Sequence, residues 1–378
     1  MLARGAHRSR RRRRVLVAAL VVAAIVLVVV AAASWLSSSL LIDPHHDLAR
    51  ENVDVKGVAA DRVGLARSKA TLRPGTYGLD WKRGHAIVGD VVARTHDTVT
   101  RRLIGVRGEL ARGVKVAIDP DVWEGNPRSA LGIPFSNVAV PDRLGPMPAW
   151  RIPGRGGTWI LFVHGIDGSR EGGLRPLITL HRMGLPSLLI SYRNDAGAPR
   201  SPDGHIHLGM TEWRDLDAAA RWAVAHGAQR LVLYGDSMGG AIVTRFMHVS
   251  ALAPRVVALV LDAPVLDWRS VISRQARRFD APFMAPPIEW AVAWRTGVDW
   301  NALDEIRQAG SFRIPILLFQ GLADPLVPPA DSQSFARRVP GGRVTYVPVP
   351  EAGHIQSWNV DPAGYARTLT AFLARVAR

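Results

Sequence analysis

The sequence predicts an α/β protein: a mainly parallel sheet with helices on both faces, preceded by a small β-rich extension and an apolar helix. Three observations carry this. Leu231-Val232-Leu233-Tyr234 reads as a buried strand. It runs through Gly235-Asp236-Ser237-Met238-Gly239 into Met238, Ala241, Ile242 and Phe246, which are spaced as on a helix. From residue 159 onward, short apolar runs alternate with amphipathic stretches of helical period, the pattern of βαβ units. Residues 15–33 are 19 positions without a charge.

The chain has 378 residues, enough for one large domain with additions or for two domains. Apolar residues make up 48% and charged residues 21%, a globular composition. The absence of cysteine excludes disulfides, thiolate nucleophiles and cysteine metal sites. A formal charge of +16 suggests a nucleic-acid binder until its placement is read. Arg4, Arg8 and Arg10 to Arg14 precede residue 15 with no acid among them. Beyond them no dense basic run interleaves with aromatics, and lysine occurs only at 56, 69, 82 and 115. The arginine excess reads as compositional bias, and no nucleic-acid partner is expected.

Residues 15–36 match the apolar thickness of a bilayer, with Trp35 suited to the far interface. The reading is an uncleaved signal-anchor. Residues 1–14 stay cytoplasmic, and the folded domain lies on the outer side of the cell membrane. Two alternatives remain. Ala31-Ala32-Ala33-Ser34 offers small residues for cleavage of a secretory signal, and Ser9-Arg10-Arg11 fits a twin-arginine signal. Ser37-Ser38-Ser39 and Asp43-Pro44 are expected to mark the exit into a linker, in which His45 and His46 read as solvated rather than as metal ligands.

Residues 43–130 read as the β-rich extension. Residues 86–88 and 90–93 form strands around Gly89, and 98–104 and 114–118 read likewise. The stretch holds no chemical motif. Residues 135–140 and 147–152 look like a strand pair, and two prolines, Pro148 and Pro153, should confine the second to an edge.

The α/β domain is expected over 131–378. Strands are expected at 159–163, 187–191, 231–234, 256–261, 315–319 and 344–347. Helices are expected at 174–183, 212–226, 330–338 and 362–377. Ligands in such sheets bind at the carboxyl ends of the strands, where Ser237 falls. Strand, sharp turn and helix around G-x-S-x-G is the context of a nucleophile elbow. After the first core strand, His164-Gly165-Ile166-Asp167-Gly168 forms a strand-end loop. The backbone N–H groups of Ile166 and Met238 are assigned as an oxyanion hole, and His164 as a residue that holds the loop. Asp324 follows one late strand and His354 the next. His354 would take the proton of Ser237, and Asp324 would fix its tautomer. Asp262 is the competing acid, and Asp236 is expected to point elsewhere on the elbow.

These motifs, in the order Ser, Asp, His, resemble the α/β-hydrolase superfamily over residues 135–378. More narrowly they resemble the serine hydrolases of the ABHD12/ABHD13 (Bem46-like) or serine aminopeptidase S33 type, and membrane-anchored hydrolases of actinobacteria. The matching residues are His164-Gly165, Gly235 to Gly239, Gly321 to Asp324 with Val327-Pro328, and Gly353-His354. Residues 43–130 fall outside that pattern. The resemblance implies an α/β-hydrolase fold with a lid insertion at about 264–310. That insertion carries Trp268, Phe279, Phe283, Trp290, Trp294 and Trp300, read as an acyl pocket or as lid packing. Residues 194–209 could border the entrance, with His205 and His207 weak as metal ligands.

The expected activity is cleavage of a carboxylic ester, thioester or amide through an acyl-enzyme on Ser237, with no metal or organic cofactor. The expected partners are a small-molecule or lipid-like acyl substrate and the membrane. An acyltransferase using the same triad and a non-catalytic binding module are the alternatives.

Overall fold

The computed structural model describes residues 2–45 and 52–377, with side chains from Arg14 onward. Helix α1 (Leu2–Ile42) comes first. Six strands follow: β1 (Val53–Ala59), β2 (Arg62–Ala66), β3 (Tyr77–Trp81), β4 (Gly84–Arg94), β5 (Thr98–Arg107) and β6 (Lys115–Asp119). They close into an antiparallel barrel, β1-β2-β5-β4-β3-β6. The two runs expected around Gly89 are one strand, β4, whose pairing with β5 shifts register at Ile87/Val88 and twice more. Gly89 bends that strand rather than ending it, as bulges do in small barrels. Inside, Val55, Leu65, Tyr77, Leu79 and Val88 form the core. Arg101 is buried there too. Its guanidinium donates to the carbonyls of Gly89, Thr71, Arg73 and Gly75, which replace the water it loses.

After the short helix α2 (Pro127–Leu131) come β7 (Ser136–Val140), β8 (Met147–Ile152) and β9 (Thr158–Val163). Then follow α3 (Leu174–Arg182), β10 (Ser187–Ile190), α4 (Trp213–Ala225), β11 (Arg230–Asp236), α5 (Met238–Val249) and β12 (Val256–Asp262). The segment between β12 and the next strand holds α6 (Trp268–Arg278), α7 (Ala285–Thr296) and α8 (Glu305–Gln308). The chain ends with β13 (Ile316–Gly321), α9 (Pro329–Arg338), β14 (Val344–Val349), α10 (Ser357–Val360) and α11 (Pro362–Val376).

The eight strands from β7 to β14 form one sheet, β14-β13-β12-β11-β9-β10-β8-β7, parallel from β14 through β10. β8 is antiparallel to both its neighbours, so it is not the edge strand expected from its prolines. Pairing with β10 covers only Ala149 to Ile152. Pro148 and Pro153 lie outside that ladder and cost it no donor. The central strands are apolar on both faces. In β11, Leu231 and Leu233 join the cluster under α4, α5 and α9, while Val232 and Tyr234 join the one under α3 and α11. A strand buried on two sides needs the continuous apolar run seen in its sequence.

The stretch Arg14–Ile42 is long and apolar enough to cross a membrane, and its apolar window is not buried by the rest of the chain. Its end differs from expectation. Ser37 to Ser39 remain helical instead of opening a linker. The hydroxyls of Ser34 and Ser38 are absorbed by the helix, donating to Val30 O and Trp35 O at 2.7 Å each. Both serines are buried, and this end of α1 packs on α7. Trp35 meets Trp294 at 5.8 Å between ring centroids. The nearly buried Arg295 lies over the Trp35 ring. It donates to Ser38 Oγ and Ser39 Oγ at 2.8 Å and to Asp43 Oδ1 at 3.1 Å. The cation thus also caps the negative end of α1. Charge-assisted hydrogen bonds are worth about 1.5–3 kcal/mol. Arg295→Ala is therefore expected to loosen residues 34–42 by about that amount. Amide exchange on the full-length chain in detergent should speed up there and stay unchanged in β11. Equal protection in both proteins would remove the clamp.

Candidate active site

Strand β11 ends at Asp236 and α5 begins at Met238, so Ser237 makes the whole turn. Its backbone has φ 52° and ψ −116°, a strained conformation for a residue with a side chain. The turn survives because the groups around it leave no alternative. A Cβ on Gly239 would run into the carbonyl oxygen of Val163 at the end of β9, and one on Gly235 into the backbone of Gly239. Gly239→Ala is expected to destabilise the protein by more than about 4 kcal/mol, because the obstacle is backbone and cannot rotate away. Denaturant unfolding measures this, and a midpoint equal to wild type would show that the turn relaxes freely.

The structure brings the three expected side chains together. Ser237 Oγ is 2.8 Å from His354 Nε2, and His354 Nδ1 is 2.8 Å from Asp324 Oδ2. Asp324 is fully buried. Its Oδ1 accepts the N–H groups of Leu326 and Val327, and Gln320 Nε2 donates to Oδ2 at 3.3 Å. Four donors thus fix the carboxylate, and the imidazole is turned so that its second nitrogen faces the serine. Asp262 lies elsewhere. It accepts from Ser357 Oγ at 2.9 Å, and burial pushes its carboxyl up to about 6, against the lowering effect of Arg175 and the Ser357 bond. Asp236 faces Arg175 at 3.3 Å.

The N–H of Met238 is the first of α5 and has no intrahelical acceptor. Ile166 sits in the turn closed by Gly168 N–H to Gly165 O, across from the elbow. A Cβ on Gly165 would come 2.9 Å from Ser237 Cβ, so the loop lies against Ser237. His164 holds this loop. Its Nδ1 bonds Gly165 O and its Nε2 bonds Asp195 Oδ2, each at 2.8 Å, while the ring stacks on Tyr192. Burial alone would lower its pKa, but the Asp195 carboxylate more than offsets this and the pKa is raised. Tyr192 Oη also donates to Gly165 O at 2.7 Å. Sequence reasoning missed Tyr192 and Asp195, though both lie just past β10, a strand end facing the site.

Arg175 was also missed. It is buried on α3 and lies between Asp121 and Asp236, donating at 2.6 Å to the carbonyl of Ile355, the residue after His354. Burial alone would lower its pKa, but Asp121, Asp236 and Asp262 raise it, so the guanidinium stays charged. One side chain therefore ties the elbow to the histidine loop. The barrel supports the same loop. Asn359 of α10 exchanges bonds with Thr76, and Trp123 meets Trp358 edge-on at 5.2 Å.

No group of three or more His, Cys, Asp or Glu able to hold a metal occurs among the described residues. His205 pairs with Asp43 and His207 with Asp203. His45 donates its N–H to Asp167 Oδ1, and His46 lies outside the described residues. Residues 194–209 pack between the end of α1 and α6. Ile206 N–H bonds Ile42 O, and Trp268 Nε1 bonds Leu208 O. In the insertion, Trp268 and Trp300 are buried as packing residues. Phe279, Phe283, Trp290 and Trp294 are 77%, 66%, 67% and 65% exposed, so these four are not packed into the core. A cleft of about 900 Å³ lies along α4 and contains none of the triad.

The model of the prolyl oligopeptidase family matches residues 201–378, which include all three triad residues. A domain of unknown function matches residues 54–119, the barrel. Among solved structures, an esterase of Pyrococcus furiosus shares the fold at TM-score 0.55 and 19% identity, over 67% of this chain and 94% of its own. A proline iminopeptidase-related protein of Thermus thermophilus shares it at TM-score 0.50 and 15% identity, over 65% of this chain and 99% of its own. The fold is that of the α/β-hydrolases, and the family match supports a serine hydrolase of esterase or peptidase type.

Proposed function

We propose that the chain is a membrane-anchored serine hydrolase that cleaves a carboxylic ester, thioester or amide through an acyl-enzyme on Ser237. The observation that carries this is the unbroken hydrogen-bond chain Ser237–His354–Asp324, at 2.8 Å per link. His354 Nε2 takes the Ser237 proton as Oγ attacks the carbonyl carbon. The oxyanion forms beside the N–H groups of Met238 and Ile166, each such donor being worth about 2.7–4 kcal/mol of transition-state stabilisation. The tetrahedral intermediate expels the leaving alcohol, thiol or amine, which takes its proton from His354. Water then gives a proton to His354, attacks the acyl carbonyl and releases the acid, and Ser237 recovers its hydrogen.

The apolar stretch Arg14–Ile42, behind the arginine cluster, supports a single-pass anchor with the amino terminus cytoplasmic and the catalytic domain outside. The residues between β12 and β13 take the place of a lid. A fluorophosphonate probe applied to membranes expressing the full-length chain tests both readings. Wild type should be labelled and should stay in the pellet after a carbonate wash. An unlabelled wild type removes the hydrolase reading, and a labelled but released, shortened form removes the anchor.

A further inference from the structure

We infer that the outer face of the α6–α7 insertion rests on the bilayer that α1 crosses, with its aromatic side chains in the interface and its basic cleft against anionic lipid headgroups. The inference builds on the anchor reading above.

Residues 15–33 rise about 28 Å at 1.5 Å per residue, close to the hydrocarbon thickness of about 30 Å. Trp35 therefore falls at the interface where α1 leaves it. Trp294 of α7 is 5.8 Å from Trp35, and Trp290 stacks on Trp294 at 5.9 Å with ring planes 4° apart. The covered face of α1 begins at Val30, within the apolar run, and continues through Ala33, Ser34, Ser38 and Ile42. Because α7 is packed on α1, and the Arg295 contacts pin the two together, α7 is held at the level of the headgroups.

Phe279, Phe283, Trp290 and Trp294 are each about two-thirds exposed or more and sit on one insertion. A water-facing surface gains nothing from four such rings, whereas tryptophan at the interface is favoured by its apolar body and polar N–H. Beside Phe279, a cleft of about 740 Å³ is lined by Lys69, Arg274, Arg277 and Arg278, against the single carboxylate of Asp331. Basic residues near an anionic surface are attracted to it. Arg274 also donates to the carbonyl of Asp324 at 2.8 Å, so this basic surface adjoins the loop that carries the catalytic acid. An acyl substrate dissolved in the membrane would therefore meet the insertion without crossing bulk water.

The absence of native cysteine makes the test direct, because any introduced cysteine is unique. Phe283→Cys on the insertion and Arg155→Cys, in the loop before β9 at the opposite end of the strands, are labelled with an environment-sensitive fluorophore. The full-length chain is then reconstituted into phosphatidylglycerol/phosphatidylcholine vesicles containing a lipid-borne quencher. The inference expects at least half of the signal at 283 to be quenched and the signal at 155 to be unaffected. Arg277→Glu/Arg278→Glu should reduce the quenching at 283 to that seen in phosphatidylcholine alone. A protein that floats with the vesicles but shows no quenching at 283, or equal quenching at both sites, overturns the docking face while the anchor stands. A protein that does not float overturns the anchor and the docking face together. Phosphatidylglycerol dependence that survives the double glutamate variant removes the basic cleft from the argument and, with it, the headgroup contact.

Discussion

Ser237→Ala is expected to lower kcat on an acyl ester by about 10⁶-fold and to abolish fluorophosphonate labelling, with denaturant stability unchanged. The size follows from what the change removes. In the proposed mechanism the Ser237 hydroxyl, held against His354 Nε2, is the nucleophile, and without it the imidazole has nothing to activate except loosely held water. The Met238 and Ile166 donors remain, so a residual acceleration of about 10³–10⁴ over water should persist. Stability should hold because alanine fits the same turn and the hydroxyl bonds no structural partner. Adding His354→Ala to Ser237→Ala should cost little more, since the two act as one unit. A single alanine variant that keeps a tenth of wild-type turnover would sink the acyl-enzyme reading. Additive losses in the pair would show that the two side chains work in separate steps.

The turn at Ser237 and the loops that bring Asp324 and His354 beside it were legible because each is a local signal: an apolar strand, then a polar residue within the next few positions. What was not legible depends on pairing across long stretches of chain. The barrel closes when β1 pairs with β6, and nothing within either short, charged strand announces that partner. Arg175 reads as an ordinary helix arginine until Asp121, Asp236 and the Ile355 carbonyl are folded around it. The end of α1 read as a linker because three serines favour turns. The packing of Ser34 and Ser38 on α7, with Arg295 more than 250 positions away in the chain, overrides that preference. The aromatics of the insertion failed for a different reason. Their spacing correctly placed Trp290 and Trp294 on one face, but periodicity cannot say whether that face meets a core, a ligand or a membrane.

Asp324→Asn is expected to reduce kcat by about 10⁴-fold at neutral pH while leaving the loop in place. Oδ1 can still accept the Leu326 and Val327 N–H groups, at 2.8 and 3.0 Å, so the amide oxygen takes that side. The amide nitrogen then faces His354 Nδ1, and two N–H groups cannot share that contact. The imidazole resolves the clash by moving its proton to Nε2. That points a donor, in place of a lone pair, at the Ser237 oxygen, and the general base is lost. Asp262→Asn supplies the contrast. Its partner is Ser357 Oγ, not His354, so the expected loss is about tenfold, the scale of one hydrogen bond. Measuring kcat for both variants on one ester decides which carboxylate orients the histidine. If the Asp262 variant fell by four orders of magnitude and the Asp324 variant by one, the acid would have to be reassigned to the end of β12. The 2.8 Å contact at Asp324 would then be a resting arrangement that the reaction abandons.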